Sequence, residues 1–162
     1  NKLLAMVKAN EDEFIQTAMS NSVQRKSSEL TKAKKTLKLL TKRNRGRNVH
    51  RVMQEVKVFI RGWIGYFRVA DMKRTLMSWD EWMRRRFRMY IWKQWKKPKT
   101  KVANLRKLGV PADKAYRWGN SRLGYWRIAG SHVLKCSITN ERLAAAGYFS
   151  ILNYYESLHL CG

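Results

Sequence analysis

Apolar residues recur at three- and four-residue steps along most of this chain, and no stretch alternates convincingly, so the pattern predicts helices rather than strands. The clearest run is Val49, Val52, Met53, Val56, Phe59, Ile60, Trp63 and Phe67. It makes one wide apolar face, with Asn48 placed to cap its start. Ser78-Trp79-Asp80-Glu81 has the S-x-x-E form of a capping box and predicts the start of a second helix, which Pro98 ends. On that helix Trp79, Met83, Phe87, Tyr90, Ile91 and Gln94/Trp95 share a core-facing side. Arg84, Arg85, Arg88, Trp92 and Lys96 fall on the other, and residues 96–101 are expected to leave as an extended basic tongue.

Beyond Pro98 the periodic pieces shorten. Val102 to Leu108 predicts a short helix closed by Gly109, and Pro111 opens another through Trp118. Gly119 and Asn120 then turn the chain. Ser131 and Thr139 are predicted N-caps of further short helices, the second stopped by Gly147. Residues 148–155 form a last amphipathic segment, in which YFSIL also reads as a short strand. The expected class is all-α: a helical bundle with several short C-terminal helices and an N-terminal helix or weak coiled coil.

The N-terminal stretch differs. Residues 1–36 have Phe14 as their only aromatic. Asn10 and the acids at 11–13 predict a helix start, and Val23, Leu30 and Leu37 fall seven apart. Met19, Ala33 and Leu40 fill much of a second seam that Lys26 interrupts. A single amphipathic helix docked on another surface and a two-heptad coiled coil that pairs two copies both fit this pattern. The shift in composition sets an expected boundary, with residues 1–36 and 37–162 as separate domains.

Charge changes the picture of the second segment. The chain has 162 residues and a formal net charge of +24, of which residues 37–162 supply +21 from 28 basic and seven acidic side chains. Hydrophobic residues at 44% are enough for a core. Such an excess destabilises a compact state unless a polyanion screens it. From Arg84 to Lys101 nine cations and no acid are interleaved with Phe, Tyr, Ile and two Trp. Guanidinium groups beside stackable rings fit nucleic acid better than a membrane surface or an acidic protein. Gly62 and Gly65, costly inside a helix, predict the close approach of another backbone or an RNA strand, or a frayed end.

Catalytic patterns are absent from the sequence. Glu55, Asp71, Asp80, Glu81, Asp113, Glu141 and Glu156 are the only acids after residue 36, and no Y-x-D-D or D-x-D groups them for two-metal chemistry. Cys136 and Cys161 have no CxxC spacing; a reduced, cytoplasmic setting is expected, with no metal and no cofactor. His132 and Cys136 lie four apart and share a helix face if one forms there. The charge leaves phosphate-contact candidates: Lys42, Arg43, Arg45, Arg47, the arginines at 84–88, the lysines from 93 to 101, Arg106, Lys107, Arg117, Arg122 and Arg127.

Four motifs, RGWIGYF, DEWMRRRFR, IWKQWK and GYWRIAGS, together resemble the maturase-specific region of bacterial group II intron reverse transcriptases. The resemblance runs over roughly residues 37–158. It implies a helical thumb and maturase domain that bind intron RNA, help it fold for splicing and support retrohoming. By position it implies RNA contact by Arg84, Arg85, Arg86, Arg88, Lys93, Lys96, Lys97, Arg122, Tyr125, Trp126 and Arg127, to which the charge pattern adds Lys99, Lys101, Arg106 and Lys107, and it allows target DNA as a further partner. The polymerase carboxylates and the HNH endonuclease of such proteins are not in this sequence, so no enzyme activity is expected of it. The stretch EDEFIQTAMSNSVQRKSSELTKAKKTLK resembles a coiled-coil segment of large serine recombinases, without that family's zinc cysteines or catalytic serine domain. Three readings therefore stand. One is an RNA-binding maturase fragment. Another is a DNA-binding or coiled-coil accessory piece of a mobile-element recombinase, self-associating through residues 1–36. The third is an inactive translated remnant.

Overall fold

The computed structural model describes residues 2–67 and 71–160, apart from the side chains of Ser22, Val23 and Phe67. The expectations placed on Val23, Phe67 and Cys161 lie outside the described residues. Nine helices and no strand are found among them, so the class is all-α. The chain divides into two compact units, residues 1–39 and 40–162.

The first unit is one helix, α1 (Lys2–Leu40). It does not start at Asn10 as predicted. Residues 2–9, LysLeuLeuAlaMetValLysAla, are good helix formers and carry the helix past the expected cap. Thr17, Thr31 and Thr36 return their hydroxyls to the carbonyls of Glu13, Ser27 and Lys32, four residues back. Met19 of the proposed seam is exposed, Leu30 half-buried, and Ala33 and Leu37 buried.

In the second unit α2 (Val49–Phe67) and α3 (Lys73–Gln94) pack with α9 (Ile151–Leu160). Asn48 caps α2 as expected, its Oδ1 accepting from His50 N at 2.9 Å. Val52, Met53, Val56, Ile60 and Ile64 of α2 are buried with Leu76, Met83, Phe87 and Tyr90 of α3. Trp63 stacks on Trp79 with centroids 5.3 Å apart. The connection from α1 to α2 is pinned twice. Tyr90 exchanges hydrogen bonds with the Arg47 backbone, and Gln94 Nε2 donates to Arg47 O at 2.8 Å. Arg45 bonds Leu40 O and Glu55 Oε2, both at 2.7 Å, and Arg47 pairs with the other carboxylate oxygen. The hydrogen bond from Arg45 holds the Glu55 carboxyl below its usual range, against the opposing effect of burial.

Three predicted elements are corrected. α3 begins at Lys73 after the N-cap residue Met72, so Ser78 and Glu81 are mid-helix and form no capping box. Lys96 adopts a φ of 48° and turns the chain, Lys97 becomes an N-cap, and Pro98 is the first residue of α4 (Pro98–Lys107). The expected basic tongue is thus a turn and a helix, because proline fits the first helical position as well as it ends the preceding helix. YFSIL is divided between a loop and the start of α9. The short helices α5 (Ala112–Gly119), α7 (His132–Ser137) and α8 (Asn140–Ala146) follow the predicted signals, whereas α6 (Tyr125–Ala129), which follows Gly124 with no side-chain cap, is not among the predicted elements. Ser131 and Thr139 accept from Leu134 N and Arg142 N, and Gly147 ends α8 with φ +117°. No described helix is long and apolar enough to cross a membrane.

Two glycines have opposite roles. Gly119 is buried in the last turn of α5, where an added Cβ would lie 2.5 Å from Val102 Cγ2 and 3.1 Å from Val102 N. It is the glycine that lets α4 and α5 meet. Gly62 is exposed, with nothing within 4 Å of a Cβ, so the predicted close approach is not made by any described residue. Gly119→Ala is expected to cost about 1–3 kcal/mol through overpacking. Gly62→Ala is expected to gain about 0.5–1 kcal/mol through helix propensity. Urea titrations that rank both variants on the same side of the wild type contradict this assignment.

Candidate nucleic-acid interface

α3 is the spine of the second unit, and its predicted solvent face is largely covered. α6 and the α7–α8 junction fold back over it and bring backbone acceptors to its arginines. Arg88, expected in solvent, is buried; its Nε donates to Ile138 O and its Nη2 to Asn140 Oδ1, both at 2.8 Å. Arg86 is buried with Nε on Thr41 Oγ1 at 2.8 Å. Trp92, placed on the charged side by periodicity, is buried too. Burial pulls both guanidinium groups below the ordinary arginine value, and at Arg88 the neighbouring Arg84 charge adds to the effect. Their inward donors make these two arginines tertiary clamps, a role that periodicity along α3 could not reveal.

Arg84 and Arg85 are half-buried at the edge of a cleft of about 690 Å³ between α3 and α6–α8. Arg85 donates twice to Trp126 O, from Nε at 3.1 Å and Nη2 at 2.8 Å, and its Cζ sits 4.0 Å from the Trp126 ring centroid. A Cβ on Gly130 would fall 2.6 Å from that Cζ, so the glycine makes room for the guanidinium. Arg84 Nε is buried without a hydrogen-bond partner, while its Cζ lies 5.5 Å from the Tyr148 ring centroid. Glu81 and Glu141 also line the cleft. The sequence pattern marked neither for this place. The cleft therefore offers an aromatic edge, guanidinium donors and carboxylate acceptors, the groups that hold an unpaired nucleotide.

The floor beneath Arg84 is organised by Asp80. Its buried carboxylate accepts from Tyr148 Oη at 2.6 Å, Ser150 Oγ at 3.0 Å, and the Ile151 and Leu152 amides at 2.9 Å each. It thereby caps α9 from another helix. Burial, followed by the charge of Asp80, holds the Tyr148 phenol well above the usual tyrosine range. Sequence reasoning placed Asp80 at a helix start; no local signal shows a cap supplied from 71 residues away.

The remaining candidates separate into two sets. Lys96, Lys97, Lys99, Arg106, Lys107, Arg117, Arg122 and Arg127 are exposed. Lys93 is half-buried and Lys101 buried, and both reach Tyr125, the first residue of α6. Of the earlier candidates, Arg45 and Arg47 are committed to Glu55, whereas Lys42 and Arg43 are exposed. His132 and Cys136 do share a face of α7, with Sγ 3.4 Å from Nε2. No group of three His, Cys, Asp or Glu among the described residues could hold a metal ion.

Residues 30–109 match the family described as the group II intron, maturase-specific domain. This stretch is a group II intron maturase-related region. The maturase match takes in the end of α1, all of α2, α3 and α4, and stops at Gly109, whose φ of +94° ends α4. It contains the arginines of α3 and the lysines of α4, while Tyr125 and Trp126 lie beyond it. The maturase-specific domain is a non-catalytic region. No curated protein matches the chain.

Proposed function

We propose that this chain binds group II intron RNA and assists its folding for splicing and mobility, with residues 37–162 as the RNA-binding part. The observation that carries the reading is the Arg85–Trp126 pair. A guanidinium stacked at 4.0 Å and bonded twice to the backbone holds the ring in place before any ligand arrives. Half-buried Arg84 extends the same edge, and the exposed lysines and arginines of α4 and the 120–127 segment supply phosphate contacts beside it. Phosphate contacts give affinity and register, while a positioned ring selects an unpaired base.

Filter binding to a folded group II intron RNA and to a scrambled RNA of equal length tests the reading. The expected preference at physiological salt is at least about tenfold, equivalent to about 1.4 kcal/mol. Trp126→Ala should weaken binding to the intron RNA by about 5- to 150-fold if one base stacks there, by about 1–3 kcal/mol. Equal affinity for both RNAs reduces the protein to a general polyanion binder.

A further inference from the structure

Three cations from three different parts of the second unit surround one tyrosine ring. Arg43 Cζ lies 4.6 Å from the Tyr125 centroid, Lys101 Nζ 5.1 Å and Lys93 Nζ 5.4 Å. Lys101 Nζ is also 4.9 Å from the Trp92 centroid. Arg43 comes from the connection after α1, Lys93 from the last turn of α3 and Lys101 from the start of α4. Their depth is graded: Arg43 is exposed, Lys93 half-buried, and Lys101 only 8% exposed. Among the described residues none of the three side chains forms a hydrogen bond or an ion pair.

That arrangement is unfavourable as it stands. An ammonium has three donors and no acceptor, and neither lysine finds a protein acceptor for any of them among the described residues. The ring faces of Tyr125 and Trp92 attract cations, but they neutralise none of the charge. Three like charges held around one ring also repel one another in a medium less polar than water. A single tetrahedral oxyanion beside them offsets part of that repulsion, and its oxygens can accept from several donors at once.

We propose that Arg43, Lys93 and Lys101, set about Tyr125, form one binding site for a single phosphodiester group of the RNA strand. The proposal rests on the RNA-binding reading for the source of the phosphate, and on the geometry alone for the site. One shared phosphate has a particular signature. The salt dependence of RNA binding counts phosphates neutralised, not cations spent on each. The triple variant Arg43→Gln, Lys93→Gln, Lys101→Met should therefore flatten the log–log slope by about 0.7–0.9, whereas three separate contacts would flatten it by about 2–3.

The test uses the full chain and two readouts. In thermal melts at equal ionic strength, inorganic phosphate should raise the wild-type midpoint above that in chloride. Lys101→Met should melt higher than wild type in chloride and gain nothing from phosphate, while Lys114→Met on α5 should keep the phosphate gain. Lys93→Met is read in the same way, so the site remains testable if Lys101→Met does not fold. Filter binding against KCl supplies the slope. A slope change near zero or near three units, or a wild type indifferent to phosphate, overturns the shared site even where intron RNA binds well. A phosphate gain that Lys101→Met abolishes, in a chain that binds no RNA, upholds the site and removes the RNA reading instead.

Discussion

Asp80→Ala is expected to lower unfolding stability by about 3–5 kcal/mol, the range found when one partner of a buried charged network is removed. Four donors lose their acceptor together: two hydroxyls and the two backbone amides that open α9. Each buried donor left unpaired costs about 1–3 kcal/mol, less where water reaches it. Asp80→Asn should recover only part of the loss, because its amide turns a donor toward donors. The network also fixes a dependence on alkali. The folded Tyr148 phenol titrates well above the usual tyrosine value, first from burial and then from the Asp80 charge. A raised folded value favours the neutral phenol, so this contribution is fully present below the unfolded tyrosine pKa of about 10 and is lost as pH rises through the folded value. Tyr148→Phe should therefore be less stable than wild type at neutral pH, with the gap narrowing above about pH 10. Chemical denaturation at neutral and alkaline pH reads both effects. An Asp80→Ala variant within about 0.5 kcal/mol of wild type would mean that α9 does not depend on this cap.

RNA affinity of the full chain should fall about 10²- to 10⁴-fold between roughly 50 and 200 mM KCl. That follows from six to eight phosphate contacts and a log–log slope of about −4 to −7. The exposed cations are numerous enough for that count without Arg86 and Arg88, whose donors face inward. Changing Lys96, Lys97 and Lys99 together to Gln should flatten the slope by about 2–3 units and leave the melt unchanged, since all three are exposed and make no ion pair among the described residues. Changing Arg88 to Gln should act in the opposite sense. Binding would then be lost through the fold, because Ile138 O and Asn140 Oδ1 lose a charged donor, an interaction worth about 1.5–3 kcal/mol per bond. A slope no steeper than about −1 would leave the cations of this face without a role in phosphate contact.

Local rules account for much of what the sequence determined. The apolar periodicity from Val49 onward places α2, and Asn48, Ser131, Thr139 and Gly147 cap or end their helices as their chemistry predicts. Each such cap is satisfied within a few residues, so a short window of sequence contains the whole interaction. The motifs around RGWIGYF and DEWMRRRFR also sufficed for the family resemblance, and residues 30–109 match that family. Tertiary structure decided the polar side chains of α3. Periodicity divides a helix into an apolar and a polar face, but it does not say what later segments lay upon the polar one. α6 to α9 return there with carbonyls and amides. Arg88 therefore became a clamp, Asp80 the cap of a distant helix, and Arg85 the support of Trp126. The ring of cations at Tyr125 is decided in the same way, since its members are separated by up to 82 positions in the chain and meet only because α3, α4 and α6 fold together.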